Sequence, residues 1–479
     1  MGIWKNAPRS DRRLFALSVV ILALSIGVLG VSKNRATANS ADEEFYRFMD
    51  VAAEIYVNIR NKYVEEVEPK QVLEAALRGM TSVLDEHTVY MPPVALEDLE
   101  KDTGKEYGGI GIHITLRQNI LTVMMPMPGS PAARAGIQPW DRIIEIEGES
   151  TEGFTTRDAV DRLTGPPNTK VKFKVWRPGL DEPQEVELTR EAIRIDSVHH
   201  KMLENQVGYI RLSKFAENST ADVRKALTDL RGQGMQALIL DLRFNTGGLL
   251  REAIEISELF VPKNELIVST KGRNRNQNRE YTSSKEPVVN TPVFVLVNGG
   301  SASASEILAG ALQDHHVATI IGPAGRNTFG KGSVQTIENL STSLEEDKEG
   351  NARTSALKLT TARYYTPSGR TIHEIGITPD IGIPIPEDHE SHLLEHGLLG
   401  DPPSPARLEA EGAAPVVPEG QPFYESAQTP RFREDNFTDI MLDEALEMMN
   451  QYLELLPQLD PKERAPIFAT TGERADAAK

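Results

Sequence analysis

Two short stretches of this chain hold groups able to do chemistry. NGGSASASEILAGALQD, Asn298 to Asp314, presents Ser301, Ser303 and Ser305 behind a Gly-Gly pair. GRNTFGKGSVQ, Gly325 to Gln335, presents one ammonium group, Lys331, between two glycines. The second stretch begins G-x-x-x-x-G-K, nearly a phosphate loop. Such a loop needs Ser or Thr directly after the Lys as a magnesium ligand, and a helix there whose N-terminus faces the phosphate. Here Gly332 follows, and SVQTI then alternates polar with apolar residues, the pattern of a strand. Both requirements fail, so Lys331 is either a plain surface lysine or a group with another task.

The serines follow the apolar run VFVLV and lead into good helix formers. The chain therefore passes from strand to helix at Gly299 and Gly300, where glycine lets the backbone turn tightly. A serine there sits beside the unpaired N–H groups of a helix start. That position suits helix capping, and equally a nucleophile whose oxyanion needs donors. The elbow pattern G-x-S-x-G is absent.

A nucleophilic serine needs a base. His199 and His200 lie in a strand-like stretch, and His315 and His316 end a helix. His389, His392 and His396 stand in H-E-x-H context, which is not the zinc pattern H-E-x-x-H, so no metal or other cofactor is expected. Lysine is the alternative base, because burial disfavours the ammonium form. Gln335, four residues after Lys331 and expected on the same strand face, would hydrogen-bond and aim the amine.

The elements that must position these groups can be read from periodicity. EEFYRFMDVAAEIYVNIRNKY spaces apolar residues by three and four, as one buried helix face needs, and PKQVLEAALRGMTSVL begins a second helix at Pro69. GIGIHITL, LTVMMPM, DRIIEIEG, KVKFKVWR and QEVELTRE predict a compact strand-rich module with TTRDAVDRL as a short helix. VGYIRL, ALILDL, VFVLVN and VATIIG alternate with ADVRKALTDLR, LREAIEISELF and ASEILAGALQD, which predicts layered α/β packing around strands covered on both faces. Residues 386–430, rich in Pro, Glu and Gly, read as a linker, and FTDIMLDEALEMMNQYLELL as a final amphipathic helix.

With 479 residues, two or three domains are expected. The net charge of −18 disfavours a nucleic-acid partner. The absence of cysteine excludes a thiol nucleophile, a cysteine zinc site and a disulfide scaffold. Lys5, Arg9, Arg12 and Arg13 precede the uncharged run LFALSVVILALSIGVLGV, residues 14–31, the pattern of an export signal or signal anchor. The rest of the chain is expected to be exported, with membrane attachment through that segment if it is retained.

Taken together, NGGSASASEILAGALQD, TFGKGSVQ, LKLTTARYYTPSGRTI and GITPD resemble the C-terminal processing peptidases, or tail-specific proteases. ALILDLRFNTGGLL matches that family's run ending in Asn-Pro-Gly-Gly, with Thr246 where proline is usual. GGIGIHI through PGSPAARAGIQPWDRIIEIEG resembles the PDZ module these enzymes carry, with Trp140 where glycine is usual. The resemblance implies an α/β multidomain serine endopeptidase with a crotonase-like core of β-β-α units, an inserted PDZ domain and helical N- and C-terminal segments. It implies Ser303 as nucleophile, Lys331 as general base, Gln335 as its orienting partner, and the N–H groups of Ala304 and Gly248 as oxyanion donors. Gly109, Ile110, Gly111 and Ile112 would hold the carboxylate of a protein tail that adds as a strand, apolar tails fitting best. Residues 1–40 would be the export segment, 41–100 a helical region, 101–190 the PDZ domain, 191–385 the peptidase core and 431–479 a C-terminal helix and tail. A location in the bacterial periplasm or cell envelope and a homodimer through the terminal helices are also implied. A PDZ adaptor on an inactive scaffold and a small-molecule amidase or esterase are the competing readings. The presence of both Ser303 and Lys331 opposes the first, and the PDZ module opposes the second.

Overall fold

The structure, a computed structural model, describes residues 40–104, 106–117, 119–127, 129–177, 182–194, 196–346, 352–396, 398 and 438–458. The expected export segment lies outside them. No helix among the described residues is long and apolar enough to cross a membrane.

The apolar runs become the middle of a sheet. Val207–Leu212, Ala237–Asp241, Val293–Leu296 and Thr319–Pro323 are buried at every residue. They lie side by side and parallel, flanked by Val198–Met202 on one edge and Ile381–Ile383 on the other. Alternate residues point to opposite faces. Ile210, Leu238, Leu240 and Val295 pack with the helices Ser219–Gly232, Leu250–Ser257 and Ala304–Asp314. Tyr209, Ile239, Phe294 and Leu296 pack with Met441, Ala445, Met449 and Tyr452 of the C-terminal helix, Ile440–Leu455. Each large apolar side chain buried this way contributes about 1.5–3 kcal/mol, so the last helix is a structural layer of the domain.

A second sheet carries the lysine. Ser333–Asn339 pairs antiparallel with Ala356–Tyr365, which also pairs with Val89–Met91 at one end and Leu266–Lys271 at the other. In the strand-rich module, Ile112–Arg117, Ile120–Pro126, Arg142–Ile146, Lys170–Trp176 and Gln184–Thr189 are neighbours in that order. They enclose their own core of Leu121, Val123, Ile143, Ile146, Val171 and Phe173. Trp140 adopts φ 76°, a left-handed conformation in which glycine is unstrained. The Arg117 guanidinium lies 5.2 Å from its ring centroid.

Residues 40–83 belong to a separate unit, with helices Ser40–Lys62 and Pro69–Ser82. The apolar stripe expected to be buried is open to solvent: Phe45, Tyr46, Phe48, Met49 and Ile55 all stay exposed. The helical period is present, and among the described residues of this unit nothing covers it. The segment read as a linker also differs in part, since His389–His396 is a helix that buries His389 and Leu393. Two buried positions anchor it, although the surrounding composition is that of an unstructured chain.

Candidate active site

The strand Val293–Leu296 ends below a turn that fixes the three serines differently. Asn298 Oδ1 accepts from the N–H groups of Phe244 and Gly300, at 2.9 and 3.0 Å. The Ser301 hydroxyl donates to Leu242 O at 2.8 Å, and the Ser305 hydroxyl to Asn245 O at 2.7 Å. Both residues are fully buried. Ser303 donates to no backbone carbonyl among the described residues. Its side chain instead lies beside the Tyr364 hydroxyl, whose pKa burial drives far up. Ser303 precedes the helix Ala304–Asp314 with φ 57° and ψ −111°, a sparsely populated conformation for a residue with a side chain.

Glu306, one turn into that helix, joins the serine to the lysine. Its Oε2 accepts from Ser303 N at 2.8 Å and Lys331 N at 3.0 Å. Its Oε1 accepts from Gly330 N at 2.7 Å and the Thr328 hydroxyl at 2.6 Å. Burial pushes this carboxyl's pKa up, while the four donors favour the ionised form. The residue was missing from the sequence-derived site, though S-A-S-E has the spacing of a capping box, Ser303 with Glu306. Glu306→Gln puts an NH2 against two donors. We expect a melting temperature several degrees lower and a rate reduced about 100-fold by misplaced reacting groups, checked by calorimetry and peptide cleavage.

Lys331 is partly buried, and burial is the first cause that lowers its pKa from 10.5. The Lys358 cation adds to this, and Glu306 and Glu86 oppose it. Its amine makes no hydrogen bond among the described residues. Ser303 and Lys331 thus share one carboxylate through their backbones, and their side chains are not bonded to each other. The Gln335 amide does not reach the amine either. It donates to the Ser333 hydroxyl at 2.8 Å and to the Thr360 hydroxyl at 3.3 Å. Lys331 precedes the strand, and a register shift falls between Val334 and Gln335, so strand alternation does not carry from one to the other. Thr360 in turn donates to Asp85 at 3.3 Å. His87, two residues on, carries no local motif that marks it in the sequence, and has its pKa lowered by burial and then by the Lys331 charge.

The loop Arg243–Gly248 closes the site. Asn245 O accepts Ala302 N at 3.0 Å, stitching it to the serine turn. A Cβ at Gly247 (φ 101°) would lie 2.9 Å from Ser303 Cβ and 3.0 Å from Ala304 N, so the bare backbone runs directly against the helix start. The N–H groups of Ala304 and Gly248 find no acceptor among the described residues, and both remain available to an oxygen.

In the strand-rich module, Ile112–Arg117 is an edge strand. Ile112, Ile114 and Leu116 pack with Leu163 of the helix Thr156–Leu163. Gly111 O accepts from Met127 N and the Ser130 hydroxyl, both at 2.9 Å, while the N–H groups of Ile110 and Gly111 have no acceptor among the described residues. An open strand edge beside an apolar groove, headed by free N–H groups, has the form of a C-terminal tail receptor.

A model of peptidase family S41 matches residues 206–383, and one of the PDZ domain matches residues 122–177. A carboxy-terminal-processing protease of Bartonella bacilliformis is 38% identical over 391 residues, 80% of this chain and 86% of that protein. A carboxyl-terminal-processing protease of Synechocystis is 39% identical over 67% of this chain and 74% of its own. A carboxy-terminal processing protease of Bacillus subtilis is 32% identical over 77% of this chain and 76% of its own.

Proposed function

This chain belongs to peptidase family S41, among the carboxy-terminal processing serine proteases with a PDZ domain, and from that premise we propose that it cuts peptide bonds with Ser303 as nucleophile and Lys331 as base. One observation carries the choice of serine: Ser301 and Ser305 commit their hydroxyls to backbone carbonyls, and Ser303 does not. The core is taken as crotonase-like, with its helices stacked against the parallel sheet.

The PDZ groove takes the apolar C-terminus of a protein. Ser303 Oγ turns to Lys331 and attacks the scissile carbonyl carbon, and the neutral amine takes the hydroxyl proton. The carbonyl oxygen becomes an oxyanion held by the N–H groups of Ala304 and Gly248. The C–N bond breaks as Lys331 returns the proton to the leaving amine. Water then hydrolyses the acyl-Ser303 ester, again through Lys331. Gln335 Oε1 accepts from the amine once substrate closes the site, consistent with catalytic contacts tightening only in the complex. The basic flank and apolar run of residues 5–31 support a location in the periplasm or envelope, and the exposed face of Ser40–Lys62 supports a homodimer through that helix.

A fluorophosphonate probe tests the assignment, read by peptide mapping. We expect the adduct on Ser303 alone, at a rate that rises with pH. An adduct on Ser301 or Ser305, or none in a sample that cleaves peptides, removes the proposal.

A further inference from the structure

The loop that carries Gly248 begins at a fully buried arginine. Arg243 is 0% exposed, and its guanidinium lies between two carboxylates from distant parts of the chain. Asp241 takes Nε at 3.0 Å and Nη2 at 2.6 Å, and also accepts the Arg243 backbone N–H at 2.9 Å. The Tyr209 hydroxyl donates to the same carboxylate at 2.7 Å. Asp439 takes Nη1 and Nη2, both at 2.7 Å, and is the sole partner of Nη1 among the described residues. Asp439 is the N-cap of the C-terminal helix, accepting Leu442 N at 3.2 Å.

The last helix therefore reaches through the sheet end to the first residue of the oxyanion loop. We propose that Asp439 is a positioning residue, holding Arg243 and with it the backbone from Phe244 to Gly248 in the geometry that catalysis needs. This rests on the Ser303–Lys331 reading above. Without the second carboxylate the buried guanidinium keeps Asp241 and loses every partner of Nη1. A desolvated cation moves to regain one. Phe244 follows directly, with φ 59°. The loop has little slack, because Gly247 already abuts Ala304 N. A shift of Arg243 thus moves the Gly248 donor relative to Ser303. The helix, usually viewed as packing, acts on the reaction through one bidentate ion pair.

Asp439→Asn separates this role from folding, since asparagine caps a helix about as well as aspartate. We expect kcat to fall about tenfold, with KM and PDZ affinity for a tail peptide unchanged, because loop geometry and not substrate binding is lost. Asp439→Glu restores part of kcat. Met449→Ala serves as the packing control, because Met449 is 0% exposed in the same helix and lies in the apolar cluster between helix and sheet. It lowers the melting temperature while each folded molecule keeps its kcat. Wild-type kcat in Asp439→Asn, or a loss matched by Met449→Ala at equal folded fraction, overturns the proposal. Ser303→Ala runs beside these variants. If it is inactive while Asp439→Asn is fully active, only the Asp439 assignment falls. If Ser303→Ala still cleaves, the underlying reading falls and takes the assignment with it.

Discussion

Ser303→Ala is expected to abolish peptide cleavage and leave tail binding intact. The rate should fall by roughly 10,000-fold or more, the scale seen when a nucleophile that works with a base is removed. The loss is chemical and not structural. The Ser303 hydroxyl lies beside Tyr364 without a role in holding the turn, and the contact of Ser303 to Glu306 through its backbone N–H is one that alanine keeps. The PDZ groove has a core of its own and no side chain from the serine turn. Cleavage of an unfolded protein with an apolar C-terminus and calorimetric titration with the tail peptide measure the two halves separately. Full cleavage by the variant sinks the nucleophile assignment, and lost peptide binding shows that the substitution disturbed more than the hydroxyl.

Replacing Lys331 should be nearly as costly, and the two obvious substitutions should fail alike. Lys331→Ala removes the proton acceptor, a loss of about 100- to 10,000-fold. Lys331→Arg keeps the charge and length but not the function, because guanidinium does not deprotonate near neutral pH. Only the neutral amine can act. Activity therefore rises with pH through the Lys331 pKa, which burial and then Lys358 hold below 10.5. Lys358 faces Ile337 of the strand that follows Lys331. Taking that cation away in Lys358→Gln makes the ammonium form of Lys331 easier to keep, so its pKa rises and the acid limb of the rate profile moves to higher pH. A profile that stays put removes Lys358 from the account. An active Lys331→Arg removes Lys331 as base.

The serine and the lysine were legible because each sits in a local pattern: glycines before a helix, and a lysine framed by glycines before a strand. Strand and helix periods located the sheet and its covering helices for the same reason. What joins these parts was less visible. Glu306 collects donors from residues 303, 328, 330 and 331, a convergence that one-dimensional spacing registers only as a cap. Tyr364 reaches Ser303 from a strand of another sheet, and Asp439 meets Arg243 across 196 residues of chain. Gln335 was placed by strand alternation, which the register shift at Val334 interrupts. The stripe on Ser40–Lys62 fixed a helical period without stating what would cover it.

The backbone at Ser303 has a consequence for how this protein can change. A residue with a side chain held at φ 57° and ψ −111° carries about 1–3 kcal/mol of strain. Glycine in its place carries almost none. With Ser303 as the proposed nucleophile, drift at that codon toward glycine would relieve the strain and extinguish the enzyme, so thermal robustness and turnover would pull in opposite directions at a single position.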